Sequence, residues 1–167
     1  MMILSDRLEL RPYRSEDVPS IQAVLYGDPK ARRLTGGAST IDETRQTIAR
    51  YIDMHARRGY AFWAVTERAT GELVGEAGLK PYEGGGDEIE LGYAFAARHW
   101  GRGLATEAGR AVLAEAFGPL KLSRVVAVTS DDNIASQHVL KKLEFVAGGR
   151  REVYGGDFLY YARDRHQ

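Results

Sequence analysis

The chain has 167 residues, 44% hydrophobic and 28% charged, with 23 lysines and arginines balanced by 23 aspartates and glutamates. That length suits a single domain, expected over residues 1–167, with a core large enough to need no disulfide or metal staple. The neutral balance argues against a nucleic-acid binder, which normally carries excess Lys and Arg. The absence of cysteine excludes a disulfide framework, a thiolate metal site and a cysteine nucleophile together. Asp6, Arg7 and Glu9 leave no room for a signal-peptide core, and no apolar run approaches the ~20 residues of a membrane span. A cytoplasmic protein without a membrane partner is therefore expected.

Leu8 and Leu10 alternate with Arg7, Glu9 and Arg11, the period-two pattern of a half-buried strand. Ser15, followed by Glu16 and Asp17, predicts a helix start, with the serine hydroxyl as cap and the carboxylates near the positive end of the dipole. Val18, Ile21, Val24 and Leu25 supply its apolar stripe, and Gly27-Asp28-Pro29 ends it. Thr40-Ile41-Asp42-Glu43 fits a capping box that opens a second helix running to Gly59. Tyr60 to Thr66 and Glu72 to Lys80 read as a hairpin, with Gly75 and Gly78 marking a bulge or a close backbone approach. Ile89, Leu91, Tyr93 and Phe95 alternate with Glu88, Glu90, Gly92 and Ala94, predicting a strand with one apolar face and one small or acidic face. A third helix carries Leu104, Ala108, Ala111, Val112 and Ala116, and a short strand covers Arg124 to Thr129. A fourth helix follows Asp131-Asp132, and Phe145 to Val153 with Phe158 to Ala162 forms a last hairpin.

The junction Ala94 to Glu107 is the strongest candidate for chemistry. A strand runs into a turn with Gly101 and Gly103, and a helix starts within it. Glycines let a backbone approach a ligand and turn its N–H groups the same way, while the helix start adds partial positive charge, so an anionic phosphate is the natural guest. The dipole alone is worth about 0.3–1 kcal/mol, so several N–H groups must act together. A P-loop is excluded because no Lys follows, and a dinucleotide fingerprint because Thr106 stands where a third glycine belongs. Arg98 and Arg102 are candidates to meet phosphate directly, with the backbone preferred over both. Trp100 either packs over the turn or is a helix-start aromatic without a ligand.

The spacing Arg98-x-x-Gly101-x-Gly103 is similar to the Gln/Arg-x-x-Gly-x-Gly/Ala signature of the GNAT acetyltransferases. Glu90-Leu91-Gly92-Tyr93 and Asn133-x-x-Ser136 resemble the Rim-type (RimJ/RimL-like) branch, which modifies amino termini of ribosomal proteins. The resemblance runs from Arg7 to the Leu143-Glu144-Phe145 segment. It implies an α/β fold: a mixed, mostly antiparallel sheet of about seven strands flanked by four helices. Its fourth and fifth strands would splay apart around acetyl-CoA. It implies that backbone groups of Tyr93, Ala94 and Phe95 pair with the pantetheine arm. The pyrophosphate would lie on the turn formed by Arg98, Trp100, Gly101, Arg102, Gly103, Leu104, Ala105 and Thr106. It also implies that Asn133 contacts the cofactor arm and that Ser136 lies near the thiol, although the spacing of Asn133 also fits an ordinary N-cap. Val128 and Leu140 stand where some Rim-type relatives carry a glutamate and a tyrosine, so those two roles do not transfer.

Without cysteine, the simplest mechanism is direct attack of an amine on the thioester in a ternary complex. The amine must first be neutral. For an α-amine with a pKa of ~7.7–8.0 this costs about 1 kcal/mol at neutral pH, against about 4–5 kcal/mol for a lysine at ~10.4. A weak base suffices for an amino-terminal acceptor. Glu90 is the candidate, acting through water from the small-residue face of its strand, with Glu76 in reserve; a strand carboxylate merely paired with a surface arginine is the competing reading. Ser136 is the candidate donor to the departing sulfur. Tyr82, Tyr154, Tyr160 and Tyr161 either line an acceptor pocket or pack on the sheet. His55, His99, His138 and His166 lack ligand spacing, so no metal site is expected. The acceptor is expected to be a protein N-terminal α-amine or a small-molecule amine. The assembly is expected to be a monomer or homodimer.

Overall fold

The computed structural model describes residues 1–166. Among these described residues, eight strands form one sheet: β1 (Ile3–Leu4), β2 (Leu8–Pro12), β3 (Phe62–Glu67), β4 (Leu73–Pro81), β5 (Ile89–Phe95), β6 (Arg124–Thr129), β7 (Val146–Val153) and β8 (Gly156–Asp164). Their order across the sheet is β1-β2-β3-β4-β5-β6-β8-β7, antiparallel throughout except for β5 beside β6. The helices are α1 (Val18–Ile21), α2 (Ile41–Arg58), α3 (Leu104–Phe117) and α4 (Ile134–Lys142). The mixed α/β architecture with four helices is thus as expected. The strand count is one higher than expected, because two residues of β1, too short for any periodicity, pair with β2 at Ile3↔Leu10 and Leu4↔Glu9. The expected fourth and fifth strands are therefore β5 and β6.

The segment around α1 departs from a regular helix. A 3-10 turn at Ser15–Asp17 leads in, and a π-helical turn at Gln22–Tyr26 leads out. Its entry is held by Asp17 rather than by a Ser15 hydroxyl cap: the Asp17 carboxylate accepts from the Arg14 backbone N–H at 2.8 Å and takes both guanidinium arms of Arg11 at 2.8 Å. The start of α2 is as expected: Thr40 accepts from the Glu43 backbone N–H at 3.2 Å, and Glu43 accepts from that of Thr40 at 3.0 Å. Gly59, at φ 77°, closes α2 in the left-handed region.

Two apolar layers cover the central sheet. Leu104, Ala108, Val112 and Ala116 of α3, with Leu140 of α4 and Leu143, pack on Leu8, Leu10, Trp63, Val65, Leu79 and Leu91. Ile21, Leu25 and Ile48, from the α1 and α2 side, pack on Tyr13, Phe62, Ala64 and Leu73. Close approach explains three strand glycines: a Cβ at Gly75 would lie 2.3 Å from the Ala94 carbonyl, one at Gly78 2.3 Å from that of Ala61, and one at Gly92 2.5 Å from the Phe62 ring.

The one parallel pair positions the site. Chain reversal between parallel neighbours needs a crossover, here α3. β5 and β6 share a single register pair, Glu90↔Val126, near the start of both strands. Beyond it β5 pairs only with β4, from Leu91↔Leu79 to Phe95↔Gly75, whereas β6 pairs with β8. The two strands therefore open towards their carboxyl ends, where α3 and α4 begin. Such a crevice is where open α/β sheets take ligands.

Candidate active site

The wide end of the opening is framed by two helix starts. On the β5 side a 3-10 turn, Ala97–His99, leads to Trp100, then to Gly101 at φ 77° and Gly103 at φ 78°, the N-cap of α3. A Cβ at Gly101 would meet nothing within 4 Å. These glycines are thus required for backbone conformation, not for space. Gly101, Arg102 and Gly103 are exposed, while Leu104 anchors the first turn of α3 in the core. The first N–H groups of any α-helix lack intrahelical partners, so those from Gly103 to Thr106 are available as donors at this end of α3. The site thus has what a diphosphate requires: exposed backbone, left-handed glycines and a helix N-terminus.

The side chains of this turn engage the protein itself. Arg98 pairs with Glu72, and Arg102 with Glu67 at 2.5 Å and with the His99 Nδ1 at 2.8 Å. His99 is 8% exposed and lies between the two arginines; burial, then their charges, push its pKa below the ordinary imidazole value. Arg7 donates to the Arg102 carbonyl at 2.9 Å and to Glu107 at 2.7 Å, and Ser5 adds a bond to Glu107 at 2.7 Å. Trp100, 50% exposed, donates its indole N–H to the Phe95 carbonyl at 2.9 Å, which folds the ring back onto the end of β5. Glu67, Glu72, Arg7 and Glu107 thus brace the turn, a role that sequence reasoning gave to none of the four. The only available signal was charge, since the partners lie far apart in the chain.

On the β6 side Asn133 caps α4, its side-chain oxygen accepting from the Ser136 N–H at 3.1 Å. That bond leaves the Asn133 amide N–H₂ as a donor. The Tyr93 hydroxyl meets the Ser136 hydroxyl at 3.0 Å and the Ser136 carbonyl at 3.3 Å, so β5 is tied to α4 across the opening. Burial pushes the Tyr93 phenol up to about 12, so it stays protonated. Tyr93, Ala94 and Phe95 line the stretch of β5 that has no β6 partner.

Glu90 lies at the vertex, where β5 and β6 still pair, and is 6% exposed. Burial raises its carboxyl above the usual range, opposed by Lys80, whose Nζ is 3.9 Å from Oε2, and by the Tyr154 hydroxyl, which donates to the same oxygen. Its charged partner is thus a lysine, not the surface arginine of the competing sequence reading. Glu76 is elsewhere on that face, opposite Ala94, sealed beneath the Tyr13 hydroxyl at 2.8 Å and the Tyr26 hydroxyl at 2.9 Å. Of the remaining tyrosines, Tyr82 packs 6.0 Å from Tyr160, whose hydroxyl donates to Glu88 at 2.7 Å, and Tyr161 lies against the core on the α3 side. Among the described residues, no three His, Asp or Glu side chains are grouped to hold a metal, and no helix is long and apolar enough to cross a membrane.

Comparison with known proteins agrees with this geometry. A family model described as the acetyltransferase (GNAT) domain matches residues 7–146. The uncharacterized N-acetyltransferase YoaA of Bacillus subtilis (strain 168) is 30% identical over 151 residues, covering 90% of this chain and 85% of that protein. The crystal structure of an acetyltransferase from Agrobacterium tumefaciens C58 superposes with a TM-score of 0.85 at 26% identity, covering 100% of this chain and 95% of that one. RimL, the ribosomal L7/L12 alpha-N-protein acetyltransferase solved with coenzyme A, has the same fold, at a TM-score of 0.83 and 23% identity over 98% of both chains. The chain belongs to the GNAT acetyltransferases, and acetyl-CoA is its acetyl donor.

Proposed function

We propose that the protein transfers the acetyl group to a primary amine, either the α-amine of a protein amino terminus or a small-molecule amine, by direct attack in a ternary complex. The carrying observation is the opening itself: β5 and β6 share one register pair, with Glu90 at that vertex, and part towards the start of α3. Acetyl-CoA, when bound, supplies an acetyl thioester at the end of its pantetheine arm. The backbone of Tyr93, Ala94 and Phe95 would pair with that arm. The diphosphate would rest on the N–H groups from Gly101 to Thr106, while Arg98, Trp100 and Arg102 stiffen the turn beneath it. Asn133 would reach the arm through its amide N–H₂. Likeness to RimL in fold, together with Asn133-x-x-Ser136, supports an α-amine acceptor of the Rim type.

Glu90 would take the proton of the incoming ammonium, directly or through one water. Its raised pKa suits that task, since a base works best near the operating pH. Ser136 would donate to the sulfur as it leaves; a thiol pKa of ~8.5 demands little acid strength. Tyr93 orients the serine and remains protonated itself.

The test is release of free CoA thiol from acetyl-CoA over a panel of peptides, polyamines, amino acids and aminoglycosides, with Glu90→Gln beside the parent. Turnover on at least one primary amine is expected. Glu90→Gln should lose about 10²–10⁴-fold, most severely between the Glu90 midpoint and pH ~8, where the carboxylate is ionised and the acceptor still protonated, and least above pH ~8.5 where the acceptor is already neutral. Tight acetyl-CoA binding without turnover on any amine would make the protein a CoA-binding module. A Glu90→Gln profile parallel to the parent's would remove Glu90 as base.

A further inference from the structure

The hairpin between β7 and β8 turns through Tyr154 and Gly155, with Val153 and Gly156 as the closing pair. Both central residues are left-handed, Tyr154 at φ 54° and Gly155 at φ 72°. A two-residue turn of this kind is the natural place for Asn, Asp or Gly; a bulky aromatic in the left-handed region is strained. Strain of that sort persists only where the surroundings over-determine it, and it points towards function. The contacts of Tyr154 show what holds it. Its hydroxyl donates to Glu90 Oε2, the Lys80 ammonium sits 4.3 Å above its ring, and Phe158 meets the ring edge-on at 6.4 Å. The side chain is nonetheless 38% exposed, so it does not serve as core. The turn spends conformational energy to deliver one hydroxyl across the sheet to the carboxylate at the vertex of the opening.

We propose that Tyr154 is a positioning residue: its hydroxyl holds the Glu90 carboxylate at the vertex and favours its ionised form, so that Glu90 is ready to accept the acceptor's proton. This rests on the reading of Glu90 as base. Among the described residues Lys80 and Tyr154 both approach Oε2, which leaves Oε1 to take the proton. The groups that act on this carboxyl are Lys80 on β4, Tyr82 and Glu83 on the segment after it, and Tyr154 on the hairpin; its register partner on β6 is the apolar Val126. Lys80 and the hydroxyl favour the charged carboxylate, and Glu83 opposes it. Removing the hydroxyl alone therefore tilts the balance towards the protonated acid.

Tyr154→Phe keeps the ring and its contacts with Lys80 and Phe158. In protein labelled with carboxyl-¹³C glutamate, with the Glu90 signal assigned by its absence in Glu90→Gln, the Glu90 titration midpoint should rise by roughly one pH unit in Tyr154→Phe. The acid limb of kcat/KM should move with it, giving a deficit that approaches about tenfold on the acid side of both midpoints and vanishes at pH values above them. A Glu90 midpoint identical in parent and Tyr154→Phe overturns the proposal, including where the variant merely melts earlier. The two readings fail separately. A midpoint that rises while Glu90→Gln keeps the parent's pH–rate profile upholds the Tyr154–Glu90 link and removes the base; an unmoved midpoint with a crippled Glu90→Gln does the reverse.

Discussion

Glu76 and Glu90 show how one sheet face treats two carboxylates differently. In register terms they stand opposite Ala94 and Lys80, separated by the Gly78–Gly92 pair over which the Phe62 ring lies. That ring and the tyrosines under α1 close Glu76 off, whereas Glu90 remains at the vertex of the opening. Burial raises the Glu76 carboxyl, against the lowering effect of the Tyr13 and Tyr26 hydroxyls, and places it outside the proposed chemistry. The folded protein then keeps a proton that the unfolded chain has already released, so stability attributable to Glu76 falls as pH rises from ~4.3 through the raised value. Urea unfolding of parent and Glu76→Gln across pH 4 to 8 should show the variant gaining on the parent as pH rises, and a gap that stays constant would contradict it. Glu76→Ala, which strands two buried hydroxyls, should cost about 2–4 kcal/mol at pH 4, with the cost shrinking as pH rises through the raised value.

At the scale of elements, the cofactor turn depends on conformation more than on side-chain charge. Arg98 and Arg102 pair with Glu72 and Glu67 on the β3–β4 hairpin, so the proposed diphosphate site rests on the backbone of the glycine turn. Replacing Gly103, whose φ of 78° strains any L side chain, by Val should therefore weaken CoA binding about tenfold or more, read by calorimetry. Unchanged affinity in a folded variant would defeat this placement of the diphosphate. The same contrast explains what the sequence disclosed. The Thr40 capping box, the α3 stripe and the β5 alternation are local patterns, and each was legible. The bracing of Arg102 by Glu67 joins residues that no pattern links, and the Asp17 hold on Arg14 was masked by the more familiar Ser15 cap. Tyr154 falls between the two predicted strands of the last hairpin, yet its bond to Glu90 spans 64 positions, which no local pattern discloses.

For the whole molecule, the decisive feature is that a nearly antiparallel sheet contains one parallel pair and fails to zip it. A period-two sequence pattern cannot show this: β5 alternates as regularly as a fully paired strand, although its β6 edge is open beyond Glu90. Only the resemblance in motifs supplied the splay; the residues alone supplied its two ends, the acidic strand face and the glycine turn. The neutral charge of the chain fits the proposed site, since oriented backbone N–H groups and a helix start can hold an anion without an excess of basic side chains. The account therefore stands on where the cofactor meets the backbone. Amide ¹H–¹⁵N spectra recorded through a CoA titration test it most directly: the largest shifts should fall on Gly101 to Thr106 and on Tyr93 to Phe95, with α2 unmoved. Saturable binding that leaves those amides in place and shifts another surface would contradict it.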